Sequence, residues 1–123
     1  MRKILVVDDE PTIVSIIEDV LQLNGMEAMG AADADEAEQV LKRVRPDLIL
    51  LDVMMPKTNG FMLCEKLKSI PEYKDIPIIF VTVMSKKKDM EKGLALGAVD
   101  FITKPFDPED LVKRVKKVLG DSV

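Results

Sequence analysis

The segment Asp47-Leu48-Ile49-Leu50-Leu51-Asp52-Val53-Met54-Met55-Pro56 lies near the middle of a chain of 123 residues. Its run of four aliphatic residues, from Leu48 to Leu51, is typical of a parallel strand that is covered on both faces. A carboxylate, Asp52, stands at the end of this run. The segment therefore predicts a buried strand that delivers a carboxylate to one edge of a parallel sheet.

Similar short runs occur on both sides of this segment and alternate with longer amphipathic stretches. The predicted strands are Lys3–Asp8, Met26–Ala31 (weaker, and typical of an edge), Leu48–Asp52, Ile76–Thr82 and Val99–Thr103. Helices are predicted from Pro11 to Asn24-Gly25, from Asp33 or Asp35 to about Val44, from Gly60 to about Ile70, from near Ser85 to Gly97, and from Asp107-Pro108 to Leu119-Gly120. This alternation predicts a doubly wound α/β sheet with right-handed crossovers.

The composition indicates a single folded domain that works without histidine or a disulfide. Hydrophobic residues make up 47% and charged residues 33% of the chain, histidine is missing, and Cys64 is the only cysteine. Its neighbours in the sequence favour a packing role for Cys64 over a reactive thiol. A net charge of −4 argues against direct nucleic-acid binding by this domain. No apolar run approaches the roughly 20 residues of a membrane span, so we expect no membrane association and a cytoplasmic location.

Polar side chains mark the points where four of the predicted strands end. Asp8 and Asp9 close the first strand, Asp52 the third and Thr82 the fourth, and Lys104 follows the fifth. The carboxyl ends of parallel strands meet at one edge of an open sheet, where ligands bind. Each residue alone is readily explained as a cap or turn residue, but five of them from four strands favour a functional site.

Three carboxylates in one pocket repel each other, and a hard divalent cation relieves that repulsion. A site made of oxygen ligands, with few protein groups and room for water, suits Mg²⁺. Such a cation beside a free carboxylate, an ammonium group and a hydroxyl suits phosphoryl transfer. The carboxylate would attack in line, while the cation and the ammonium neutralise the phosphoryl oxygens.

Several spaced motifs then point to one family. They are Val6-Val7-Asp8-Asp9-Glu10, Asp47 to Pro56, Gly60, Val81-Thr82, Gly97-Ala98 and Lys104-Pro105-Phe106. In these motifs and their order the chain resembles the receiver domains of two-component response regulators, which have the chemotaxis-type, flavodoxin-like fold. The resemblance covers the whole chain. It implies one receiver domain over residues 1–123, with five helices and a five-stranded parallel sheet in the order 2-1-3-4-5.

The resemblance also implies a phosphorylation site that uses Mg²⁺. Asp52 is the expected acceptor of the phosphoryl group. Asp9 would bind Mg²⁺ directly, and Asp8 would act through Asp9 or through a water molecule. Asp52 itself and the backbone carbonyl of Met54 would complete the protein ligands.

Further residues would respond to phosphorylation. The resemblance implies that Thr82 hydrogen-bonds the phosphoryl group and that Lys104 pairs first with Asp52 and later with the phosphoryl oxygens. Phe101 stands at the aromatic switch position and should turn inward when Thr82 moves. Pro105 should follow a cis peptide bond.

The expected partners are those of a signalling domain. A sensor histidine kinase or a histidine phosphotransfer protein would supply the phosphoryl group, and the downstream effector is unknown. The domain would be no enzyme beyond catalysing its own aspartyl phosphorylation and dephosphorylation. Its short C-terminal tail fits both a stand-alone regulator and a fragment of a longer protein.

Three other function classes fit the residues less well. A flavin-binding electron carrier of the same topology needs a phosphate-binding loop after the first strand, where Asp8-Asp9-Glu10-Pro11 would repel phosphate. A phosphohydrolase with an aspartate nucleophile needs an acid–base carboxylate two residues later, where Met54 stands. The intact acidic set argues against a receiver-like domain that only binds partners.

The first predicted helix carries more apolar residues than a core-facing stripe needs. Ile13, Ile16, Ile17, Val20 and Leu23 form the predicted core stripe, and Val14 and Leu21 lie on its flank. In receiver domains this helix is where the kinase docks. We therefore expect Val14 and Leu21 to contact the phosphoryl donor.

Two local features remain after these assignments. Met54 and Met84 each stand two residues after a site residue, at positions that in the family help to set the lifetime of the acylphosphate. Because both are apolar, a long-lived phosphorylated form is expected. Lys86-Lys87-Lys88 opens the fourth helix, where cations oppose the helix dipole, so a docking patch and a solvated helix start both remain open.

Overall fold

Five parallel strands form one sheet in the order β2-β1-β3-β4-β5 in the computed structural model, which describes residues 1–121. The strands are β1 (Lys3–Val7), β2 (Glu27–Ala31), β3 (Leu48–Leu51), β4 (Ile78–Thr82) and β5 (Asp100–Thr103). The helices are α1 (Pro11–Leu23), α2 (Ala34–Arg43), α3 (Gly60–Lys68), α4 (Lys87–Ala95) and α5 (Pro108–Leu119). The predicted fold and strand order are confirmed. Ser122 and Val123, the end of the predicted 1–123 domain, lie outside the described residues.

The continuous apolar strands serve two separate hydrophobic layers. Successive side chains of a strand point to opposite faces of the sheet. Leu5 and Val7 accordingly pack with α2 and α3, whereas Ile4 and Val6 pack with α1 and α5. Full burial of one such aliphatic side chain contributes about 1.5–3 kcal/mol. The central strands are therefore stabilised from both sides, which explains their lack of polar alternation.

Local signals set most of the element ends. Asp33, one of the two predicted caps, accepts a hydrogen bond from the Glu36 N–H at 2.8 Å and precedes α2. Pro11 is the first residue of α1, as predicted. By contrast, α4 begins at Lys87, two residues after the predicted start, and no side chain caps it. No helix within residues 1–121 has the length and apolar content to cross a membrane.

The predicted faces of α1 are wrong at three positions. Leu21, which was expected to contact a partner, is fully buried, whereas Ile16 and Leu23, both expected in the core, are 43% and 86% exposed. The buried side of the helix is centred on Ile17 and Leu21, with Ile13 and Val20 packed beside them. Packing of α1 against the sheet selects this face, and apolar periodicity alone did not distinguish it. Leu21 is therefore a core residue and not a docking residue.

Candidate functional site

The backbone ladder brings the polar strand ends to one edge of the sheet. The Asp52 N–H donates to the Val7 carbonyl oxygen at 2.9 Å, so Asp52 lies beside the end of β1. On the other side, the Lys104 N–H donates to the Thr82 carbonyl oxygen at 2.8 Å, just beyond β4 and β5. Main-chain hydrogen bonds thus hold four residues that are far apart in the sequence in neighbouring positions at this edge: Asp8, Asp52, Thr82 and Lys104.

The Lys104 ammonium group is buried between two buried carboxylates. Lys104 Nζ donates to Asp8 Oδ2 at 2.7 Å and to Asp52 Oδ2 at 3.2 Å. The side chains of Asp8 and Asp52 are only 3% and 4% exposed, and that of Lys104 is 7% exposed. Lys104 thus pairs with both carboxylates, with the shorter contact to Asp8. The predicted pair with Asp52 is only part of this arrangement.

The second oxygen of each carboxylate accepts a bond from the main chain. Asp8 Oδ1 accepts from the Glu10 N–H at 2.9 Å, and Asp52 Oδ1 accepts from the Met54 N–H at 3.2 Å. In both bonds the N–H donor lies two residues after the carboxylate, so the bond fixes the loop backbone around that carboxylate. A carboxylate oxygen has two lone pairs, so these bonds leave acceptor capacity for a cation or a phosphoryl group.

Burial and neighbouring charges have opposing effects on the pKa values of Asp8 and Lys104. Burial raises the pKa of Asp8 above its ordinary value, the Lys104 hydrogen bond opposes that rise, and the charge of Asp52 adds to it. Burial by itself lowers the pKa of Lys104, but the hydrogen bonds and charges of Asp8 and Asp52 outweigh it and raise the pKa. Lys104 therefore stays protonated at neutral pH.

Glu10 is the third carboxylate of the cluster. One carboxylate oxygen from each of Asp8, Glu10 and Asp52 lies within 4.8 Å of the others, and Glu10 Oε1 is 3.8 Å from Lys104 Nζ. Asp9, the predicted direct ligand, is exposed and is not one of these three. Sequence reasoning missed Glu10, although it is the third consecutive acid after β1. Three carboxylates that converge in this way form the hard oxygen donor set that Mg²⁺ prefers.

The remaining predicted residues lie around this cluster. Thr82 is fully buried, and its Oγ1 accepts from the Met84 N–H at 3.5 Å. The Lys104–Pro105 peptide bond is cis, as the resemblance implies. Phe101 is already buried, at 7% exposure, with its ring centroid 5.9 Å from that of Phe80. The side chain that was expected to turn inward on phosphorylation is therefore inside the protein in this structure.

Gly60 allows α3 to begin against the backbone that carries Asp52. A Cβ atom at position 60 would lie 2.1 Å from the Asp52 carbonyl oxygen. The Gly60 N–H also donates to the Val53 carbonyl oxygen at 2.8 Å. The loop between β3 and α3 thus folds back onto its own start, and this close approach fixes the direction of the Asp52 main chain.

Replacing Lys104 by Met retains an unbranched chain but leaves Asp8 and Asp52 buried without their cation. Without divalent cations, we expect the free energy of unfolding at neutral pH to fall by about 3–5 kcal/mol. Burial and the charge of Asp52 raise the pKa of Asp8, and Lys104→Met removes the Lys104 hydrogen bond that opposes this rise. Protonation of Asp8 then favours the folded variant, so the deficit should shrink as the pH is lowered through the raised pKa of Asp8.

Urea unfolding of wild type and Lys104→Met at neutral and mildly acidic pH measures both effects. Lys117→Met removes an exposed ammonium group from α5 and serves as the control. A deficit of the same size at both pH values would contradict the electrostatic explanation and indicate a packing role.

Comparison with known proteins gives the same assignment over nearly the whole chain. A family model described as the response regulator receiver domain matches residues 4–116. The probable transcriptional regulator ycf27 of Porphyridium aerugineum is 44% identical over 118 residues, which are 96% of this chain and 48% of that protein. The phosphate regulon transcriptional regulatory protein PhoB of Escherichia coli K12 is 42% identical over 118 residues, 96% of this chain and 52% of that protein. The chain spans about half the length of the curated relatives it matches.

The fold comparison agrees with the sequence comparison. The solved structure of the chemotaxis protein CheY4 from Vibrio cholerae superposes with a TM-score of 0.90 at 36% identity, over 96% of this chain and 98% of that chain. Domains of this kind transmit signals and are not conventional enzymes. This chain belongs to the response regulator receiver domains of two-component signalling.

Proposed function

We propose that Asp52 accepts a phosphoryl group from a phosphohistidine donor in a reaction that requires Mg²⁺. The observation that carries this proposal is the buried cluster in which one ammonium group bonds both Asp8 and Asp52. A carboxylate at the edge of the sheet, beside a fixed cation and further carboxylates, has the surroundings that phosphoryl transfer needs.

The transfer itself is a displacement at phosphorus. One carboxylate oxygen of Asp52 attacks in line, and the bond from phosphorus to the donor nitrogen breaks. The electron pair of that bond stays with the donor imidazole, which takes up a proton. Lys104 moves its hydrogen bonds from the carboxylate to the phosphoryl oxygens, and the Thr82 hydroxyl bonds another of them. The acylphosphate on Asp52 is then the signalling state.

The donor set near Asp52 fits Mg²⁺. We propose that Asp8 and Asp52 hold it, that Asp9 turns in to bind it, and that the Met54 backbone carbonyl completes the protein ligands. When bound, Mg²⁺ would neutralise the charge of the phosphoryl oxygens. Glu10 is an alternative to Asp9, but fixing its longer and 63% exposed side chain costs more conformational entropy.

The proposed donor is a sensor histidine kinase or a histidine phosphotransfer protein in the cytoplasm. The chain has no histidine and so cannot carry a phosphohistidine of its own. We propose that the donor contacts α1 near Val14, which is partly exposed at the end of the helix nearer to the site. The curated relatives that match the chain are about twice as long as the chain. Any output function that a whole protein of that length would have is likewise a proposal.

Asp52→Asn should abolish phosphorylation, because an amide oxygen is too weak a nucleophile for this displacement. Acetyl phosphate with Mg²⁺ should add one phosphoryl group to the wild type, detected by intact-protein mass spectrometry. Asp19→Asn, which changes an exposed carboxylate on α1, should be labelled like the wild type. Labelling of Asp52→Asn to the same extent would refute the assignment.

Substitutions of the two candidate carboxylates should affect Mg²⁺ differently. We expect Asp9→Asn to weaken Mg²⁺ binding by about tenfold or more, equivalent to about 1.4 kcal/mol. Glu10→Gln should weaken it much less, because Glu10 would not be a ligand. Calorimetric titration with Mg²⁺ measures both affinities. The opposite order would assign the ligand role to Glu10.

The groove beside the proposed phosphorylation site supports a long-lived phosphorylated form. Met54 and Met84 line a groove of about 590 Å³. Hydrolysis needs a water molecule in line with the bond between phosphorus and Asp52, and a thioether is only a weak acceptor for such a water. Val83, which is 56% exposed, adds bulk at the same edge. These side chains would hinder water from taking the attacking position without disturbing Lys104.

The double variant Met54→Asn/Met84→Glu should therefore lose phosphate faster than the wild type. Groups that orient a water or accept its proton contribute about 10²–10⁴ to a rate, so even part of that effect is measurable. Phosphate release from both phosphorylated proteins gives the comparison. Met62→Asn, at an exposed position of α3, is the control. An unchanged rate would show that the methionines only pack.

A further inference from the structure

A surface beside the proposed site combines exposed apolar and cationic side chains. We call it the methionine–lysine face, and its members come from the loops after β3 and β4 and from α4. Met54 is 57% exposed and Val83 56% exposed, and all of the lysines are exposed. The face consists of Met54, Val83, Met84, Lys86, Lys88 and Lys92.

Two open grooves make this face continuous. The groove of about 590 Å³ lies between the loop after β3 and α4, and Met54, Phe61 and Lys92 are among its lining residues. A second groove, of about 460 Å³, lies over the loop before α4. Met84 and Asp89 line both grooves, so the two grooves lie next to each other. An extended or helical segment of another molecule has room along this path.

Lys92 lies over the Phe61 ring, 4.9 Å from its centroid, but the other two cations of the face, Lys86 and Lys88, are not explained by the stability of the fold. Within residues 1–121, Lys86 and Lys88 make no ion pair, and the nearest cation–carboxylate contact in this turn is an exposed pair of Lys87 with Glu91 at 3.9 Å. A pair of that kind contributes little. Cations at the start of a helix also oppose its dipole, and no side chain caps α4. Asp89 is the one carboxylate in this first turn, so Lys86 and Lys88 add unfavourable charge there without an ion pair of their own.

We propose that the methionine–lysine face docks an acidic segment of a partner protein that carries aliphatic side chains. Charge complementarity favours an acidic partner. The whole chain has a net charge of −4 and repels an acidic partner in general. Here, however, three lysines against the single carboxylate of Asp89 give a positive rim. Carboxylates of the partner would face this rim.

The floor of the face selects for a protein partner. Methionine side chains are flexible and polarizable, so they adapt to aliphatic groups of different shape. Nucleic acid would instead need aromatic side chains for stacking or a broader basic surface. Phe61, the aromatic residue that lines the larger groove, is only 6% exposed, so it offers little surface for stacking. An apolar floor with a cationic rim thus matches a segment that has both aliphatic and acidic side chains.

Selection from a library of random peptides tests this proposal with the unphosphorylated chain. Peptides are selected on the wild type, and those that also bind Lys86→Glu/Lys88→Glu are removed. The surviving peptides should be rich in Asp, Glu and aliphatic residues. In fluorescence anisotropy they should bind the double variant at least about tenfold more weakly, and added salt should weaken their binding to the wild type.

The controls separate this face from charge in general. Lys42→Glu/Lys117→Glu makes the same change of charge at exposed positions of α2 and α5 and should bind the peptides like the wild type. Circular dichroism checks that both double variants fold. Labelling by acetyl phosphate tests the proposed function separately, and it should be unchanged in Lys86→Glu/Lys88→Glu.

Three outcomes would overturn the proposal. One is that no peptide distinguishes the wild type from Lys86→Glu/Lys88→Glu. Another is that the selected peptides show no excess of acidic and aliphatic residues. The third is that a DNA oligonucleotide or vesicles of phosphatidylserine bind through Lys86 and Lys88 as tightly as the peptides, which would assign the face to polyanions in general.

Discussion

Asp8 and Asp52 are two buried carboxylates that share one buried ammonium group, that of Lys104. Two negative charges so close together repel each other, and removal of the single cation would leave both unbalanced. The backbone around the site is arranged to keep this cluster intact. The second oxygens are bonded by the N–H groups of Glu10 and Met54, so neither carboxylate can turn away without losing a bond.

The parallel sheet makes this cluster possible. The fold uses main-chain bonds between neighbouring strands to place residues 8, 52, 82 and 104 side by side. Burial of the polar residues at the strand ends is unfavourable. The apolar strands offset it because their side chains are packed on both faces of the sheet. The site therefore has a rigid floor, and its walls are loops. The loops carry Glu10, Met54 and Met84, whose N–H groups bond the site side chains.

The alternating fold and the gathering of polar residues at one edge of the sheet were accessible from the sequence, because apolar runs and the residues that end them indicate both. The strand order and the cis peptide before Pro105 followed from the resemblance to receiver domains. The orientation of α1 was not accessible in either way. Every apolar residue of that helix counts equally in a periodicity, whereas only contact with the sheet distinguishes buried Leu21 from exposed Leu23. The nearness of Glu10 to the cluster and the buried position of Phe101 likewise depend on side-chain rotation, which no local pattern records.

Gly60 shows that a site residue need not have a side chain. Its hydrogen atom faces the carbonyl oxygen of Asp52, where a methyl group would overlap with it. Any other amino acid would have to move the main chain that positions the Asp52 carboxylate. In a survey of tolerated substitutions, position 60 would thus be as restricted as the acidic residues. The restriction would come from steric exclusion by the backbone, so no change of charge, polarity or pH could relieve it.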